Sequence, residues 1–133
     1  MDSLPPLVVS AVAVVRERRV LMVTARGRDV VYLPGGKVDP GETAAEAAAR
    51  EAREELGASP TRLVELFTVR TQAHGEPEGR QVHMTVFEAE LAEEPRASAE
   101  IDSLHWLGTR DAHRCPPAGV ETLERLRALD LVD

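Results

Sequence analysis

One cysteine, one lysine and four aromatic side chains are all that this 133-residue chain holds of those types. The lone Cys115 has no intrachain disulfide partner, and no Cys/His group shows zinc-ligand spacing, so a reducing, cytoplasmic setting and a passive thiol are expected. Long hydrophobic runs are missing too. Leu7 to Val15 is far shorter than the ~20 residues a membrane helix needs, and Asp2 rather than a cation precedes it, unlike a signal peptide. Basic residues are outnumbered, giving a formal charge of −7. That balance disfavours nucleic-acid polymers and anionic membranes, which bind through surplus cations. Any phosphate ligand must therefore be met locally, and carboxylate-held divalent cations would do so in an acidic protein.

The length suits one domain over residues 1–133 that buries a core without disulfides. Leu7 to Val15 and Arg19 to Thr24 are apolar, β-branched runs around Arg16-Glu17-Arg18, and predict a hairpin. Val30 to Leu33 predicts a third strand, ended by a loop at Pro34-Gly35-Gly36. Thr43 and Glu46 form a capping box, an alanine-rich run follows to Leu56, and Gly57 supplies the stop, so a helix is expected between them. Arg62 to Thr71 and Gln81 to Leu91 predict a second hairpin across a polar His74-to-Gly79 connection. Glu93 to Glu100 reads as a loop, Ile101 to Leu107 as a strand, and Pro117 to Leu129 as an amphipathic helix. The fold class is α/β, a mixed sheet flanked by helices.

The most informative stretch is Gly36 to Ala58. Glu51, Glu54 and Glu55 are three and four apart and project within about a 100° arc of the predicted helix. Like charges so placed destabilise a helix by roughly 0.2–0.5 kcal/mol per pair, and a hard divalent cation would relieve them. Ala44, Ala47 and Ala48 are expected on the glutamate side, leaving room for a diphosphate, with Ala45, Ala49, Ala52 and Leu56 packing on the sheet. The competing reading is a solvated acidic surface, which leaves the loop and arginine spacing unexplained.

Gly36, Glu42, Arg50, Glu51, Ala52, Glu54, Glu55, Gly57 and Ala58 fill every specified position of a pattern that resembles the Nudix box. Seven specified Gly, Glu and Arg residues would coincide by chance on the order of 10⁻⁷ per starting position. The resemblance implies the α/β/α sandwich of the Nudix fold and a Mg²⁺-dependent (or Mn²⁺-dependent) pyrophosphohydrolase that cleaves a phosphoanhydride of a nucleoside diphosphate linked to another moiety, by water attack at phosphorus. It implies Glu51, Glu54 and Glu55 as metal ligands, with the carbonyl of Gly35 beside them, and a Glu42–Arg50 salt bridge tying loop to helix. The water's base is one of the three glutamates or a carboxylate from a later loop; Glu100 is the candidate there, with Glu88 and Glu90 competing.

Leu33 to Lys37 resembles the corresponding segment of MutT-type nucleotide sanitisers, which makes a (d)NTP or oxidised dNTP the first substrate expectation. ADP-ribose, nucleotide sugars and dinucleoside polyphosphates stay open, as do a noncatalytic nucleotide-binding regulator and a homodimer. Arg26 and Lys37 are candidate phosphate contacts, and Tyr32 a candidate substrate contact. Phe87 and Trp106 sit among alternating strand residues and are expected in the core rather than as base platforms. The four histidines show no ligand spacing and carry no assigned chemistry.

Overall fold

The computed structural model describes residues 4–133. Its elements in order are β1 (Leu7–Ala13), β2 (Val15–Arg16), β3 (Arg19–Ala25), β4 (Gly35–Lys37), α1 (Ala44–Leu56), β5 (Pro60–Gln72), β6 (Gln81–Leu91), β7 (Ile101–Leu107), a 3-10 helix (Thr109–Arg114) and α2 (Pro117–Ala128). Four strands form a mixed sheet in the order β4-β1-β6-β5, and β2-β3-β7 form a second, antiparallel sheet. Within the mixed sheet β1 runs parallel to β6 and antiparallel to β4.

Alternation along the central strands splits the core into two layers. Ala11 and Ala13 of β1 and Val20 and Met22 of β3 pack with Leu123 and Leu126 of α2. Val12, Val14, Leu21 and Val23 turn the other way, onto Ala48, Ala52 and Leu56 of α1. The result is a helix, sheet, helix sandwich in which a one-residue slip of β1 would exchange the two faces.

Helix α1 begins at Thr43, whose side chain accepts from the Glu46 N–H while Glu46 reaches back to the Thr43 N–H. It ends at Gly57, where φ of 61° needs the glycine and the cap N–H bonds Arg53 O. The expected capping box and stop are therefore both present. So is the β5–β6 hairpin, with bulges at Pro60/Arg62 and Glu65/Phe67.

Three expectations fail in instructive ways. Leu7 to Val15 is two strands, because the chain crosses from one sheet to the other at Val14; only Val15 and Arg16 pair with β3, around a turn with Glu17 and Arg18 at positive φ. Val30 to Leu33 contributes only a single bridge, Val23 to Tyr32. The glycines after it are a strand, not a loop. A Cβ on Gly35 would lie 2.7 Å from Ala11 Cα, so glycine here permits close approach to β1 rather than a turn.

The alanine stripes are also rotated from expectation. Ala47, Ala48, Ala52 and Leu56 are buried, Ala49 is half-buried and Ala45 is exposed. The inner face thus includes Ala47 and Ala48, which are fully buried and clear no space. Glu51 and Glu55 continue that inner face, because both carboxylates reach toward β4.

Candidate active site

Arg50 is the hub that joins α1 to the segment before it. Its Nε donates to Glu42 Oε2 at 2.7 Å and its Nη2 to Glu42 Oε1 at 3.0 Å, a bidentate fork. Nη2 also donates to the Lys37 carbonyl at 3.0 Å, and Glu42 accepts the Asp39 N–H at 2.9 Å. Together these bonds fix the turn at residues 39–42 and the end of β4 to the helix. They hold the Glu42 carboxyl down at about 2, chiefly through the Arg50 guanidinium, and raise Arg50 above its ordinary value.

The other end of the guanidinium faces the glutamates. Nη1 donates to Glu51 Oε1 at 2.8 Å and, more loosely, to Glu54 Oε2 at 3.4 Å. Glu51 is 12% exposed and Glu54 54%. Glu55 turns toward β4 and accepts the Gly35 N–H at 2.7 Å. Burial pushes its carboxyl up to about 7, with Glu51 and Glu54 adding repulsion and the Gly35 N–H opposing the shift.

The three glutamates therefore share a flank of α1 but do not converge tightly. Among the described residues no three His, Cys, Asp or Glu groups lie close enough together to hold a metal ion. Glu51 and Glu54 accept from Arg50, and Glu55 from the Gly35 N–H.

Glu55 and Gly35 also border a cavity of about 310 Å³. Its walls are apolar, from Leu7, Val9 and Ala11 of β1 and Val82 and Met84 of β6. Tyr32 lines it, and among the described residues it is the only aromatic side chain to do so. Arg28, Gln72 and His74 line it as well, and no motif singled them out. Arg28 comes from the segment after β3, Gln72 from the end of β5 and His74 from the β5–β6 connection, whose approach to β1 is a product of the tertiary fold. The Gln72 amide is already committed, donating to Pro77 O at 3.0 Å and accepting the Gly79 N–H at 2.8 Å.

Other candidates lie elsewhere. Arg26 and Lys37 are exposed and outside the cavity lining. Glu100 is exposed, and its carbonyl accepts the Arg26 N–H at 2.8 Å where β3 gives way to the following turn. Glu88 alternates with Phe87 and Ala89, which face α1, and so points to the α2 side of the sheet. Glu90 sits 3.7 Å from Arg62 at the surface. Phe87 is buried and Trp106 packs against the same core, as expected. Cys115 is half-buried beside Met22, and burial pushes its thiol up to about 11, which leaves it a poor nucleophile at neutral pH. No helix among the described residues is long and apolar enough to cross a membrane.

The sequence matches the NUDIX domain family over residues 4–127. No curated protein matches it. Among solved structures it is similar to the MutT NUDIX hydrolase from Burkholderia pseudomallei, with 27% identity, a TM-score of 0.73, and 98% of this chain and 100% of that one covered. The solution structure of the E. coli ORF135 protein is 26% identical with a TM-score of 0.77, covering 93% and 90% of the two chains. A C. elegans Ap4A hydrolase shares the fold at 22% identity and a TM-score of 0.71, covering 92% and 96%. The family match over nearly the whole chain, on a fold that sets the glutamate helix against β4, makes this protein a member of the Nudix family, a hydrolase of nucleoside diphosphate derivatives.

Proposed function

We propose that the protein is a Mg²⁺-dependent pyrophosphohydrolase of a (d)NTP or oxidised dNTP, with Mn²⁺ able to replace Mg²⁺. The observation that carries this is the position of Glu55, at the seam between the carboxylate flank of α1 and the apolar cavity. A diphosphate lying along the carboxylates would place its nucleoside in that cavity. The apolar walls suit the faces of a base, and about 310 Å³ is within the range of small-molecule sites.

The donor set fits a hard divalent cation: carboxylate oxygens of Glu51, Glu54 and Glu55 with the carbonyl of Gly35, in a site where Glu55 is short of positive partners. When bound, the cation neutralises phosphate charge and stabilises the leaving group. The chain's residues do the rest. Arg50 keeps Glu42 and Lys37 O with Nε and Nη2 while Nη1 can release Glu51 and Glu54, so the ligands can be freed without loosening the loop. Glu55 Oε1 is fixed by Gly35 N–H, which leaves Oε2 as the atom to ligate the cation or take a proton from water. Arg28 stands at the cavity as a cation for the phosphate chain or the second moiety.

The test is a panel of dNTPs, oxidised dGTP, ADP-ribose, nucleotide sugars and dinucleoside polyphosphates, incubated with the protein and Mg²⁺ and resolved by product. A nucleoside monophosphate with pyrophosphate from a (d)NTP supports this reading. Preferred cleavage of ADP-ribose, a nucleotide sugar or a dinucleoside polyphosphate would move the substrate class, and nucleotide binding without turnover would point to a regulator.

A further inference from the structure

Ser10 is 0% exposed, and its Oγ has no hydrogen-bond partner. A buried hydroxyl without a partner is unusual, since its desolvation is uncompensated. It lies at the centre of the mixed sheet, where the strand registers set a row from Gly36 of β4 through Ser10 of β1 to Thr85 of β6 and Thr68 of β5. Thr85 and Thr68 satisfy one another, Oγ1 to Oγ1 at 3.3 Å. Ser10 is left over.

Its other neighbour in the row is Gly36, and the space of the missing side chain there is filled by a carboxylate. A Cβ on Gly36 would lie 2.5 Å from Glu51 Oε1 and 2.7 Å from Glu51 Cδ. Cross-strand partners on one face stand about 4.5–5.5 Å apart at Cβ, so the Ser10 Cβ is about one strand spacing from the place that the Glu51 carboxylate fills. At present Glu51 is drawn to Arg50 Nη1 at 2.8 Å. Turning away from Arg50 would leave a 12%-exposed carboxylate without that donor. The buried alanines of α1 beside it, Ala47 and Ala48, offer no side-chain donor.

We propose that Ser10 is a positioning residue for Glu51, its hydroxyl donating to the Glu51 carboxylate once that group turns from Arg50 to bind a divalent cation. The orphaned hydroxyl and the ligand that needs a new donor thus answer each other, as ligating carboxylates are themselves held by hydrogen bonds. The proposal rests on the metal-dependent reading above.

The experiment is calorimetric titration of Mg²⁺ into wild-type protein and Ser10→Ala, with the melting temperature of each measured without metal. Ser10→Ala should bind Mg²⁺ roughly tenfold more weakly, the loss expected for one hydrogen bond to a charged group, while melting no lower than wild type because the hydroxyl it removes has no partner. Wild-type affinity in the variant, or a lowered melting temperature without metal, would overturn the proposal. If wild-type protein binds no Mg²⁺, the metal-dependent reading itself falls. Should Ser10→Ala fail to fold, Ser10→Cys takes its place with the same expected loss and the same contrary result.

Discussion

The Gly35 N–H donates to Glu55 Oε1 at 2.7 Å, fastening the last turn of α1 to the strand beside β1. This one bond sets a carboxylate at the boundary between a charged helix flank and an apolar cavity, and it is the main force opposing the upward shift of Glu55.

That shift makes the metal-free protein pH-sensitive. The Glu55 carboxyl moves from an ordinary 4.5 to about 7 on folding, so the protonated form favours the native state. The contribution is complete below about pH 4.5 and is lost as pH rises through 7, on the order of 3 kcal/mol across that window before solvent screening reduces it. Denaturant unfolding without metal should show wild type losing stability between pH 5 and about 7.5, and Glu55→Gln losing less. Parallel profiles would contradict the assignment.

The two glycines of β4 should respond differently to alanine. At Gly36 the added Cβ meets only the end of the flexible Glu51 side chain, whereas at Gly35 it meets the Ala11 backbone at 2.7 Å. Gly36→Ala is expected to fold with a near-normal melting temperature and to lose about 100-fold or more in turnover by displacing the Glu51 carboxylate proposed as a metal ligand. Gly35→Ala should unfold at clearly lower temperature. Thermal melts beside kinetic assays separate the two.

Arg50→Lys keeps the charge but gives up the fork that reaches Glu42, Lys37 O and Glu51 together. A lower melting temperature and a shift of the Glu42 carboxyl upward from about 2 are expected, the latter read by carbon-detected NMR titration. The sign follows from its cause: a carboxyl held low stabilises the fold above its unfolded value and loses that support as pH falls toward 2, so the variant should be less sensitive to acid over that range.

How much of this was legible in the sequence depends on the range of the interactions. The capping box at Thr43 and Glu46, the stop at Gly57 and the Glu42–Arg50 spacing are local, and each residue carries its own reason to be there. The partition of Leu7 to Val15 between two sheets was not legible, because pairing of β1 with β6 brings together residues more than 70 positions apart. The same holds for the alanines of α1. Spacing placed the glutamates on one flank, but the rotation of that flank was decided by bonds to β4 and Arg50. Arg28, Gln72 and His74 reach the cavity only through the packing of distant segments, so periodicity gave no sign of them.

Placement around the cavity separates the basic residues. Arg28→Ala is expected to raise KM by about tenfold with kcat little changed, as for a contact made equally to substrate and transition state. Arg26→Ala, outside the lining, should leave both constants near wild type. Steady-state kinetics on the best substrate of the panel would show it, and an unaltered KM for Arg28→Ala would remove that residue from the site.

The central claim is that the carboxylate flank of α1 performs metal-dependent hydrolysis, and Glu54 tests it most directly because, at 54% exposed, it can lose its charge without disturbing the core. The measurement is turnover of Glu54→Gln with saturating Mg²⁺, alongside its melting temperature. The account predicts a loss of about 10³-fold or more with the melting temperature retained. Wild-type turnover in a folded Glu54→Gln protein would contradict it.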